Sequence, residues 1–270
     1  MSPRQEKYAP GDMVDAIEAN LAGMMWVPGC LGRFSEQEPP GVKRSMVDFP
    51  YSFFNCIGDT RLAPSQVEAA IQFIISDAKA RKVPVLWWIG PYTTPADLEQ
   101  HLKNYGFLLH DDQPGMAVEL AKLDAGLRNV PGLSIQKAHA EADWWQWGRT
   151  MSAGFELPPA TEFVVKAWHD LFSRIDPEIV TAYTGFLDGQ PVATSALALV
   201  GGAAGIYGVS TIPVARRKGV GAWMTLQPLL DARAKGYQVG VLQATEMGAS
   251  VYRSLGFQEY CRICSYLFRP

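Results

Sequence analysis

The stretch TIPVARRKGVGAW, residues 211–223, decides the fold of this chain. A strand-like run, AGIYGVST, leads into it, and apolar residues recur at helical spacing after it, so it predicts a strand-to-helix connection. The first turn of a helix has unpaired N–H groups and the positive end of the helix dipole, and glycine lets an anion approach that backbone. Arg216, Arg217 and Lys218 add positive charge. We therefore predict an anion-binding loop here, with a basic surface turn as the alternative.

Two common nucleotide-binding motifs do not fit these residues. The chain has no G-x-x-x-x-G-K-[ST] sequence. Gly219 and Gly221 also lack the third glycine of a dinucleotide-binding G-x-G-x-x-G, because Met224 stands at that position.

Composition limits the class of protein. The 270 residues are 48% hydrophobic and 19% charged, which is typical of a globular chain of one large or two ordinary domains. The net charge of −3 argues against a nucleic-acid partner. Neither a signal peptide nor a membrane-spanning run is recognisable, so we expect a cytoplasmic protein with no membrane partner.

Cysteine and histidine give no metal prediction. Cys261 and Cys264 have C-x-x-C spacing, but they lie in a strand-like run that sends them to opposite faces, and no second pair exists. The four histidines show no metal-ligand spacing either.

The two halves of the chain follow a similar pattern. Helices are predicted at 65–80 and 94–105, the latter capped by Thr94, with a strand at 83–89 between them and another from 116. Residues 123–132 read as a linker, after which strands and helices alternate around a hairpin at Asp188-Gly189. In both halves a valine-rich strand leads to a short helix that ends in Gly-Phe, at residues 106–107 and 256–257. A duplicated α/β unit is the simplest account.

The second half resembles the GNAT superfamily of N-acetyltransferases. That family carries V-x-P-x-x-R-x-x-G-x-G at a helix start and later Y-x-x-x-G-F, and residues 211–221 and 252–257 match with Thr211 in place of Val. The resemblance implies an α/β (α+β) fold with a mixed, mostly antiparallel twisted sheet flanked by helices, in two tandem copies. It suggests a degenerate domain over residues 1–125 and a catalytic domain over residues 131–270. The family often has Asn and Ala where this chain has Thr245 and Gly248, and both positions concern the pantetheine arm.

The resemblance also implies site roles. Acetyl-CoA is the expected co-substrate, with its pyrophosphate on the backbone N–H groups of residues 217–222 and its acetyl carbonyl and pantetheine arm at Val209 and Thr211. Tyr252 would protonate the departing thiolate, with a core aromatic as the alternative. Glu246 is the candidate general base, although a solvated loop carboxylate explains it equally well. The full set of predicted cofactor-binding residues is Val209, Thr211, Arg216, Arg217, Lys218, Gly219, Val220, Gly221 and Ala222.

The first half lacks the corresponding chemistry. Residues 61–66 offer no glycine pair, and aligning Gly106 on Gly256 puts Leu102 where Tyr252 stands. We expect an N-acetyltransferase that moves the acetyl group directly to a primary amine of a small molecule or peptide. The alternative is a non-catalytic acyl-CoA-binding sensor or interaction module. The acceptor and the choice between monomer and homodimer stay open, and Phe155, Trp168, Tyr183 and Tyr207 are candidates for either the acceptor pocket or the core.

Overall fold

A computed structural model describes residues 8–25, 33–35, 39–157 and 162–270. The helices are α1 Pro10–Met25, α2 Val67–Arg81, α3 Leu98–Asn104, α4 Glu141–Gly154, α5 Glu162–Phe172, α6 Val220–Ala234 and α7 Glu246–Ser254. The strands are β1 Arg33–Ser35, β2 Lys43–Met46, β3 Cys56–Gly58, β4 Val85–Ile89, β5 Leu108–Glu119, β6 Leu133–Lys137, β7 Val180–Leu187, β8 Gln190–Val200, β9 Ala203–Thr211, β10 Val239–Gln243 and β11 Gln258–Phe268. No helix in the described ranges is long and apolar enough to cross a membrane.

All the described strands belong to one mixed sheet. Its order is β1-β2-β3-β4-β11-β5-β10-β9-β8-β7-β6. Among the described strand pairs only β3 with β4 and β9 with β10 are parallel, and the others are antiparallel. The mixed, mostly antiparallel sheet predicted from the sequence is therefore confirmed.

The closing strands of the two halves are exchanged. β5 follows α3 in the first half, yet it pairs with β10 of the second half, from Gly115 opposite Gln243 to Glu119 opposite Val239. β11 follows α7 in the second half, yet it pairs with β4 of the first. β5 and β11 also pair with each other along most of their length. The irregular segment around residues 123–132 connects the two halves in sequence, but their strands form one continuous sheet. Each half contributes a strand that pairs with the other half.

Helices cover both faces of the sheet. On one face, α6 packs over the second half in a cluster that includes Leu226, Leu229 and Leu242, while α2 and α3 cover the first half. On the other face, α4 and α5 bury Trp147 and Trp168 against the second half. α1 lies beside them, over strands of both halves, with Ile17 fully buried.

Most predicted elements of the chain from residue 65 onward are present. The hairpin at 188–189 forms with both residues at positive φ, as a two-residue turn requires. Cys261 and Cys264 pack into different clusters, as alternation along a strand predicts. The capping prediction at Thr94 was wrong, because α3 begins only at Leu98. Thr94 instead lies in the segment after β4 and forms a parallel β-bridge with Arg61, which follows β3.

Candidate active site

A gap opens between β9 and β10 at their C-terminal ends. The two strands pair only through Ala204 with Gly240 and Gly205 with Val241, and beyond these pairs β9 continues to Thr211 without β10 as a partner. β9 also carries a bulge where Gly208 has a φ of +57°. Gaps of this kind at the carboxyl ends of parallel strands are where α/β folds bind ligands. The predicted site residues Val209 and Thr211 lie along the open part of β9.

The loop between β9 and α6 has the geometry of an anion cradle. Arg217 and Gly219 have φ values of +62° and +84°, and Gly219 is the N-cap of α6. No main-chain N–H of residues 217–222 donates a hydrogen bond to another described residue. Successive free N–H groups in a turn and at a helix start attract an anion. The side chains of Arg217 and Lys218 are exposed and form no ion pair within the described chain.

Arg216 has a different position from its two basic neighbours. Its guanidinium donates to the carbonyl oxygens of Thr211 at 3.0 Å and Gly154 at 2.9 Å, and to the carboxylate of Glu156 at 3.0 Å. These contacts join the end of β9 to the end of α4. The Arg216 side chain is thus held by the protein itself, whereas the sequence analysis places it among the cofactor-binding residues.

Gly154 allows this junction to form. A Cβ atom at position 154 would lie 2.4 Å from the hydroxyl oxygen of Ser210 and 3.2 Å from the amide nitrogen of Thr211. Only glycine permits α4 to end so close to β9. Sequence reasoning missed Gly154, because no local pattern reveals a close approach between distant segments.

Tyr252 lies against the first turn of α7 and is buried. Its ring packs edge-on against Phe257, and a Cβ at Gly248 would come within 2.8 Å of it, so Gly248 makes room for the ring. Burial raises the pKa of Tyr252 to about 12. Its hydroxyl makes no hydrogen bond with a described residue, and it remains a protonated donor at neutral pH.

Glu246 is the first residue of α7 and is exposed. It follows the N-cap Thr245, whose side chain accepts a hydrogen bond from the amide of Gly248. Glu246 forms no ion pair or side-chain hydrogen bond with the described residues. It therefore lies at the C-terminal end of β10, next to the gap, with its carboxylate in solvent.

The equivalent gap in the first half is closed. The amide of Thr94 donates to the carbonyl of Thr60 at 3.0 Å, and the amide of Leu62 donates to the carbonyl of Thr94 at 3.1 Å. The segment after β4 therefore hydrogen-bonds to the segment after β3. In the second half, the corresponding edge of β9 has no described partner strand. The connection to α2 is also short, since α2 begins at Val67, directly after a 3-10 turn at Pro64–Gln66.

The aromatic candidates divide between core and site. Trp168 is buried in the α4–α5 cluster, and the hydroxyl of Tyr183 donates to Asp231 at 2.9 Å. Tyr207 lies on β9 beside the gap and donates to the side-chain oxygen of Asn20 at 2.7 Å. Phe155 follows α4 and is 46% exposed.

The acetyltransferase (GNAT) domain family matches residues 135–260 of this chain. The match covers β6 to the start of β11 and includes the cradle, the gap and Tyr252. Residues 135–260 are therefore similar to a GNAT domain. Acyl transfer is the chemistry that this family supports. No curated protein sequence matches the chain.

Solved structures share the fold over nearly the whole chain. A GCN5-related N-acetyltransferase from Kribbella flavida is 20% identical, with a TM-score of 0.70 over 93% of this chain and 95% of that one. A GCN5-related N-acetyltransferase from Sphaerobacter thermophilus is 16% identical, with a TM-score of 0.62 over 97% and 95%. A tandem GNAT protein from the clavulanic acid biosynthesis pathway is 14% identical, with a TM-score of 0.61 over 98% and 96%. The first half, outside the matched residues, is thus part of the fold that these structures share.

Proposed function

We propose that this protein is an N-acetyltransferase that moves the acetyl group of acetyl-CoA directly to a primary amine. The observation that carries the proposal is the cradle of free N–H groups at residues 217–222, next to the gap between β9 and β10. When acetyl-CoA is bound, it supplies an activated thioester carbonyl. The cradle would hold its pyrophosphate, with Arg217 and Lys218 adding charge around it.

The chain's own residues suit the remaining steps. Main-chain N–H groups on the open part of β9, at Val209 and Thr211, would polarise the acetyl carbonyl. Attack by a neutral amine forms the C–N bond, breaks the C–S bond and leaves a thiolate, and the nitrogen gives up one proton to solvent as the amide forms. Tyr252 would protonate that thiolate, because its phenol carries a proton at neutral pH. Glu246 would remove a proton from the ammonium through solvent.

We further propose one cofactor site per chain, in a catalytic domain over residues 131–270. The first domain, residues 1–125, would be a silent unit, because its gap is closed by the hydrogen bonds of Thr94. It would support the second domain through the exchanged strand β5.

Calorimetric titration of acetyl-CoA into the full chain tests the proposal. One binding site per chain, lost in a Gly219→Pro variant, followed by acetylation of an amine from a screen, is the expected result. Absence of binding to the wild-type chain would mean that residues 215–223 are only a basic turn. Binding without any transfer would favour the sensor function instead.

A further inference from the structure

Gln243 is a polar residue at the edge of the gap whose side-chain nitrogen has no partner. It is the last residue of β10, and β9 has already separated from β10 at this level. Its Nε2 is buried and makes no hydrogen bond within the described part of the chain. Leaving a buried amide donor unpaired costs free energy, and such groups in native proteins usually serve a ligand or an ordered water.

Strand alternation shows which way Gln243 faces. Val239 and Val241 pack in the cluster with α1, whereas Leu242 packs in the cluster with α6. Residues two apart on a strand share a face, so Gln243 lies on the α1 face, opposite α6. The phosphate cradle is at the start of α6. A cofactor that enters from the α6 side leaves the opposite face for the attacking amine.

The neighbouring polar groups on this face already have partners. The hydroxyl of Tyr207 donates to the side-chain oxygen of Asn20. The side-chain nitrogen of Asn20 donates to the carbonyls of Ala198, Val200 and Ala203. Across the sheet, the residue paired with Gln243 is Gly115, which has no side chain to offer. Among the described residues, none accepts a hydrogen bond from Nε2.

We propose that Gln243 binds the acceptor by donating a hydrogen bond from Nε2 to an oxygen atom close to the reacting amine. This inference rests on the proposed function and adds to it the class of acceptor, a primary amine with a hydroxyl or carbonyl oxygen a few bonds from the nitrogen. An amino alcohol, an amino sugar or an amino-acid amide has this arrangement. A purely aliphatic amine would leave the buried donor unpaired.

The test compares 2-aminoethanol with n-propylamine, which differ by a hydroxyl in place of a methyl group. We expect Gln243→Met to lower the ratio of kcat/KM for 2-aminoethanol to that for n-propylamine by about tenfold, the effect of losing one hydrogen bond. Taking this ratio in both proteins cancels the different basicity of the two amines. Acetyl-CoA affinity should stay unchanged, and the midpoint of thermal unfolding should not fall, because the variant loses no internal hydrogen bond. Gln190→Met, at an exposed strand end far from the gap in sequence, is the matched control.

Three results would overturn the inference. One is an unchanged ratio in Gln243→Met, and another is a lower unfolding midpoint with both amines affected equally, which indicates a structural role. The third is acetylation of neither amine by a wild-type chain that binds acetyl-CoA. Failure of the wild-type chain to bind acetyl-CoA would instead refute the proposed function, so the two failures can be told apart.

Discussion

Leu102 and Tyr252 occupy the same position in the two halves of the chain. The carbonyl of Leu102 accepts a hydrogen bond from the amide of Phe107 at 3.0 Å, and the carbonyl of Tyr252 accepts one from Phe257 at 3.1 Å. Both lie near the end of a short helix that precedes an exchanged strand. The backbone is therefore repeated, while the phenol is present only beside the open gap.

Replacing Tyr252 with Phe tests its proposed role as the acid. We expect turnover to fall about 100-fold, the usual lower range for a lost general acid, with acetyl-CoA affinity nearly unchanged. Steady-state kinetics and calorimetry measure the two quantities. Tyr105→Phe, near the corresponding helix end of the first half, is the control and should change neither. Equal turnover in wild type and Tyr252→Phe would remove the acid role.

Gly219 should be required for cofactor binding beyond its effect on stability. Its φ is +84°. Gly236 has a comparable φ of +93°, and no atom lies within 4 Å of the position that a Cβ would take there. Alanine at either position should cost about 1–2 kcal/mol of unfolding free energy through left-handed backbone strain. Only Gly219→Ala should weaken acetyl-CoA binding, because of the two glycines only Gly219 lies in the cradle. Similar affinities of the two variants would argue against a phosphate site at this loop.

Much of the site could be predicted because it is local in sequence. The loop at 211–223 and helix α7, which is followed by Gly256 at positive φ, carry their own turn and capping signals, so their geometry follows from nearby residues. The strand exchange and the contact of Gly154 with Ser210 join segments far apart in the chain, and no local pattern encodes such partners. The prediction at Thr94 was wrong for the same reason, since its hydrogen bonds to residues 60 and 62 are long-range.

Replacing Arg216 should lower the stability of the fold, whereas replacing Arg217 should lower the affinity for acetyl-CoA. Arg216→Ala removes hydrogen bonds to two carbonyls and a carboxylate, and we expect a loss of about 1–3 kcal/mol in unfolding free energy. Arg217→Ala removes an exposed charge without a described partner, so stability should hold while acetyl-CoA affinity and its salt dependence decrease. Chemical denaturation and titration at two salt concentrations measure both. An Arg216→Ala variant as stable as the wild type would show that the contacts of Arg216 with the ends of α4 and β9 do not stabilise the fold.

Burial of Tyr252 should appear in the pH dependence of stability. Its pKa of about 12 lies above the value of about 10 expected for an unfolded tyrosine, so the unfolded chain loses this proton first. The contribution of Tyr252 to the free energy of unfolding is fully present below a pH of about 10, and it decreases as the pH rises toward 12. The difference in unfolding midpoint between wild type and Tyr252→Phe should therefore shift against wild type above pH of about 10. A constant difference between pH 8 and 11, measured by thermal denaturation, would mean that the phenol is not buried.

The exchanged strands predict that the second half cannot fold alone. A fragment of residues 131–270 lacks β5, so β10 would lose its antiparallel neighbour and β11 would lose partners on both sides. Unpaired strand edges with apolar faces aggregate, so we expect an unfolded or aggregated fragment by circular dichroism and size-exclusion chromatography. Co-expression with residues 1–125 should restore a soluble complex, because that fragment supplies β4 and β5 as a separate chain. An isolated second half that is folded and binds acetyl-CoA would show that β5 is dispensable, and the first half would then need a different explanation.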